Sequence, residues 1–67
     1  MNITKLREVA AHHVDCAVNL ERALHAATEE HESAILRRSR DWHATAAREL
    51  TELADAFSSI STLLIQP

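Results

Sequence analysis

Apolar positions recur along the chain at three- and four-residue intervals, in two runs of different phase. The first passes through Ile3, Leu6, Ala10, His13, Ala17, Leu20, Leu24 and Ala27 and continues to His31 and Ala34. The second passes through Leu36, Ser39, His43, Ala46, Leu50, Leu53, Phe57, Ile60 and Leu64. Such spacing keeps side chains on one face of an α-helix, and two phases cannot share one straight helix. The pattern therefore predicts two helices with a break between about residues 31 and 41. Glycine is absent and the one proline is the last residue, so nothing else interrupts a helix. The expected fold is all-α: an antiparallel two-helix hairpin forming a single domain, completed into a helical bundle by dimerisation or by a partner chain.

Two stretches carry signals for the break. In "RRSRD", Arg37, Arg38 and Arg40 suit a helix C-terminus and Ser39 or Asp41 suits a new N-cap. In "TEEHE", Thr28 suits a cap ahead of Glu29, Glu30 and Glu32 in a first turn. The first is favoured, giving helix 1 over about residues 4–37, a turn over about 37–41 and helix 2 over about 41–64. Helix 1 would then exceed helix 2 by about 15 Å and its first turns would overhang. A turn at Thr28 would move the overhang to the other helix. The tail "SSISTLLIQP" reads as a helix end with its apolar side docked, or as a surface kept for a partner; the docked end is favoured.

Length bears on stability. A domain of 67 residues hides only about 60% of its unfolded surface, and its single core contributes roughly 3–5 kcal/mol. Apolar residues make up 46% of the chain, much of it alanine, with Trp42 and Phe57 as the aromatic residues. The lone Cys16 forms no internal disulfide, so a metal or another chain is the remaining reinforcement. One unpaired cysteine, no signal-peptide pattern and no long apolar run point to a cytoplasmic protein and away from membranes. A net charge of −3 is a poor match to nucleic acid.

The segment "HHVDC" places His12, Asp15 and Cys16 within a roughly 100° arc of one helix, a partial metal site that His43, a glutamate or a second chain would have to complete. Structural zinc takes four ligands, commonly with two or more thiolates, so the reading is an ordinary helix flank with Cys16 as a small hydrophobe. Catalysis by Cys16 would need a fixed base and a pocket. No catalytic, cofactor-binding or metal residue is assigned, and the chain is read as a non-enzyme. Arg37, Arg38 and Arg40 beside Trp42 and His43 could contact phosphate, but capping at a turn is preferred, with Trp42 closing the hairpin end.

A second apolar strip on helix 1, formed by Ala11, Val14 and Val18, lies away from the main seam. A helix apolar on two sides is packed on two sides. The expected function is a protein-protein interaction module, a chaperone, adaptor or small inhibitory regulator that covers a partner's apolar helix or groove. Its candidate contacts are Leu6, Val9, Val14, Val18, Trp42, Ile60, Leu63 and Leu64. The alternative is a small dimeric nucleic-acid-binding regulator using Arg37, Arg38 and Arg40.

The segment "VNLERALHAATEEHESAILRRSRDW", followed by a second helix rich in alanine and leucine, resembles the small hairpin co-chaperones of type III secretion needle subunits. That resemblance implies two helices and an apolar face that shields a secreted subunit together with a second chaperone. Short phage-encoded helical regulators that inhibit host proteins look equally similar. Both imply a protein partner.

Overall fold

The computed structural model describes residues 2–65 and shows two helices, α1 (Ile3–Ala26) and α2 (Glu30–Ile65), folded back as an antiparallel hairpin. Asn2 caps α1, its side chain accepting a hydrogen bond from the Lys5 amide at 3.1 Å. The hairpin is long and thin, 59 × 15 × 14 Å across its Cα atoms.

The break lies at residues 27–29, not at 37–41. Ala27 leaves the helix with extended backbone (φ −71°, ψ 135°), while its amide still bonds to the Leu24 carbonyl at 3.2 Å. The Glu29 carbonyl then accepts from the Ser33 amide at 2.9 Å, which opens α2. His25 sits in the last turn of α1 and Glu30 and Glu32 in the first turn of α2, where the two carboxylates complement the positive end of the helix dipole. The stretch "RRSRD" runs through mid-helix because arginine is a strong helix former and Arg40 already has carboxylate partners on both sides. His31 and Ala34 consequently belong to α2.

Moving the turn also moves the overhang. α2 is 36 residues long against 24 for α1, an excess of about 18 Å, and the surplus lies at its C-terminal end. Ile3 and Leu6 are half-buried in the seam instead of projecting. The tail does not dock either: Leu63 and Leu64 are 70% and 82% exposed. Gln66 and Pro67 lie outside the described residues.

Along α1 the seam follows the expected run from Ile3 to Leu24, every position of it half-buried or buried. Along α2 it follows Leu36, Arg40, His43, Ala47, Leu50, Ala54 and Phe57. Both runs alternate three- and four-residue steps, the seven-residue repeat of a coiled coil. Among the described residues only Ala10, Ala47 and Ala54 are buried. Small side chains at these levels let the helices approach closely, and several larger apolar residues, Val9 and Leu53 among them, are left exposed on the flanks.

Candidate functional site

The centre of the hairpin holds a polar cluster. His13 on α1 and His43 on α2 both occupy seam positions, and their Nδ1 atoms lie 2.7 Å apart. One ring donates Nδ1–H and the other accepts at Nδ1, so the two imidazoles hold complementary tautomers. Trp42 packs edge-on against both, with ring centroids 5.5 Å from His13 and 4.9 Å from His43. His12 adds a further edge contact to His13 at 5.8 Å, and its Nε2 lies 3.6 Å from the Cys16 Sγ. Trp42 therefore sits at mid-hairpin, 62% exposed, and does not close the hairpin end.

The cluster brings His12 and Cys16 together one turn apart, but Asp15 points to solvent. His13 and His43 are spent on each other at a separation too short for two ligands of a shared tetrahedral metal, which with Zn–N bonds of about 2.0–2.1 Å would stand roughly 3.3 Å apart. Among the described residues no group of three or more His, Cys, Asp or Glu side chains is placed to hold a metal ion.

The arginines are dispersed as well. Arg37, Arg38 and Arg40 spread over about 160° of the helix circumference, so they form no single face. Arg40 donates to Glu21 on α1 at 2.7 Å and to Asp41 at 2.9 Å. Its guanidinium holds the Glu21 carboxyl below the usual 4.5, outweighing the opposing effects of desolvation and Asp41. The folded value lies below the unfolded one, so this pair contributes its stability above pH 4.5 and loses it as pH falls through the folded value. Glu21→Gln is thus expected to lower the urea midpoint at neutral pH, with the difference from wild type shrinking below about pH 4.5 and vanishing in stronger acid. A difference independent of pH would show that the ion pair is not its source.

The apolar surface is the other feature of the site, and it has two sides. On one flank Val14, Ala17 and Val18 of α1 face Ala44, Ala47 and Thr51 of α2 across a trough of about 550 Å³, edged by Glu21, Arg40, Arg48 and Glu52. Val14 and Val18 are 49% and 45% exposed there. On the opposite flank α2 presents Ile35, Trp42, Leu53 and Ile60, all exposed. Val9 is exposed on the same side, next to a smaller hollow that it lines with Leu6 and Leu50. Of the eight expected contact residues, Leu6 is half-buried in the seam and the other seven are exposed.

Ile35 and Leu53 complete this second flank and were not among the expected contacts. The signal that finds them is the α2 seam itself: once Ala54 takes the seam position, Leu53 is turned outward, in line with Trp42 and Ile35. No family model, curated protein or solved structure matches this chain. No described helix is long and apolar enough to cross a membrane.

Proposed function

We propose that this chain is a non-enzymatic interaction module that holds an apolar helix of a partner protein in the trough beside Val14 and Val18. Such a partner would be shielded or inhibited, as in a small chaperone, adaptor or regulator. One observation carries the reading: a hairpin that among its described residues buries only three alanines keeps an open apolar trough between its helices, with charged residues along both edges. An amphipathic helix laid in such a groove buries its apolar face on the floor and sets its polar flanks against the rim. The driving force is the removal of valine and alanine surface from water, at about 25 cal/mol per Å². A co-chaperone of the needle-subunit type and a phage-type inhibitor would both act in this way. The nucleic-acid reading has less support, because Arg40 is held by Glu21 and Asp41 and the remaining arginines point apart.

The test is site-specific photo-cross-linking in cells, with the probe at Val18 and, as control, at exposed Arg37. A discrete protein adduct at position 18, absent at position 37 and lost when Val14→Asp is added, is the expected result. Identical adducts at both positions would refute the groove. Val14→Asp with Val18→Asp should leave helicity unchanged, since neither side chain lies in the seam.

A further inference from the structure

We infer that the opposite flank is a two-fold interface between copies of this chain, with α2 packed antiparallel against α2 of a second copy. Ile35, Trp42, Leu53 and Ile60 are spaced by 7, 11 and 7 residues. On an α-helix a step of 7 drifts about −20° and a step of 11 about +20°, so the four side chains fall on one line. Their spacing is also a palindrome. Positions 35 and 60, and positions 42 and 53, are equidistant from a point between residues 47 and 48. A two-fold axis through that point sets Ile35 against Ile60 of the second copy and Trp42 against its Leu53. Each contact then occurs twice, as a closed two-fold interface requires.

α1 independently marks the same point. His13 stands opposite His43, so Val9, four residues back along α1, is level with position 47. Val14, Val18, Ala44 and Thr51 share the trough on one flank. Val9 and Trp42 each lie on the other side of their helices and so share the opposite flank. The axis that pairs the α2 strips therefore brings Val9 against Val9. An exposed valine at the centre of symmetry and four large apolar residues placed evenly about it are what a second copy of this chain would cover.

The area agrees. The strip from Ile35 to Ile60 runs about 38 Å along a hairpin 15 Å across its Cα atoms, before side chains widen it. Each copy thus offers a face on the order of the ~800 Å² that one partner buries in a standard interface. The exposed indole of Trp42 supplies the kind of aromatic anchor that dominates such interfaces. Glu49 is the acid nearest the axis, and its two copies would stand on one rim about one helical turn apart. This interface goes beyond the trough reading, because it uses the other flank.

The experiment is disulfide trapping of the full chain with Cys16→Ser, carrying a single cysteine as Val9→Cys or, for comparison, as Val14→Cys. Sedimentation velocity and circular dichroism are run on the unlinked proteins. The expected result is a helical dimer in solution, rapid disulfide-linked dimer from Val9→Cys, and little from Val14→Cys. Trp42→Ala should weaken dimerisation by about 30-fold or more, and Glu49→Gln should tighten it. A helical species that stays monomeric at all concentrations, or cross-linking no faster at position 9 than at 14, overturns the dimer. The two readings fail separately: loss of the dimer leaves the Val18 adduct in place, and loss of the adduct leaves the dimer in place.

Discussion

Replacing Ala54 with aspartate is expected to leave the chain unfolded at 25 °C, whereas replacing its neighbour Leu53 with aspartate leaves the helical hairpin intact. Ala54 is fully buried, while Leu53 is 39% exposed. An unpaired carboxylate at position 54 loses its hydration without gaining a partner, a cost of several kcal/mol. A lone core of this size supplies only about 3–5 kcal/mol in total, so that cost consumes it. Ala54→Leu adds no charge but must fit a larger side chain where the native one is fully buried, and a loss of about 1–3 kcal/mol is expected from overpacking. Far-UV circular dichroism and urea unfolding of the three variants decide the matter. If Ala54→Asp proves as helical as Leu53→Asp, the seam does not pass through position 54. Leu53→Asp has a second use, since it should abolish the proposed dimer while the monomer stays folded.

The same pair of residues marks where the sequence was readable and where it was not. On α1 every expected seam position from Ile3 to Leu24 lies in the seam, because a single alternation of three- and four-residue steps threads them all and leaves Val9 and Val14 on the flanks. On α2 adjacent apolar residues compete: Ala46 with Ala47, and Leu53 with Ala54. Ranking by hydrophobicity selects Leu53. Close packing of two helices selects the smaller residue instead and turns the leucine outward, which creates the second apolar flank. The turn posed a similar choice, since "TEEHE" and "RRSRD" both carry valid terminus signals. Tertiary pairing decides between them: with the turn at residues 27–29, Arg40 meets Glu21 and His13 meets His43. An overhanging apolar end was expected under either turn, and α2 provides it.

Single replacement of His13 or His43 by leucine is expected to cost stability, while the double replacement recovers it. Removing one ring leaves the other half-buried without its hydrogen bond, at a cost of about 1–3 kcal/mol. Replacing both substitutes apolar contact for a polar pair, which is neutral or stabilising in comparable sites. The double-mutant cycle should give a coupling energy of about 0.5–3 kcal/mol, read from urea unfolding followed by Trp42 fluorescence, since the indole touches both rings. Losses that simply add would mean that the 2.7 Å contact carries no energy. The stability regained by the double variant has a consequence for uniqueness. Both helices follow a seven-residue repeat, so sliding one past the other by a heptad keeps most apolar layers matched. In the native register the imidazoles meet; after a one-heptad slip His13 would face Leu36 or Leu50, and His43 would lose its partner. A polar pair in a coiled-coil seam specifies register by this penalty. The double-leucine hairpin should therefore be at least as stable as the native chain yet populate more than one register, visible as extra or broadened amide resonances. A single sharp set of resonances would show that the turn alone fixes the register.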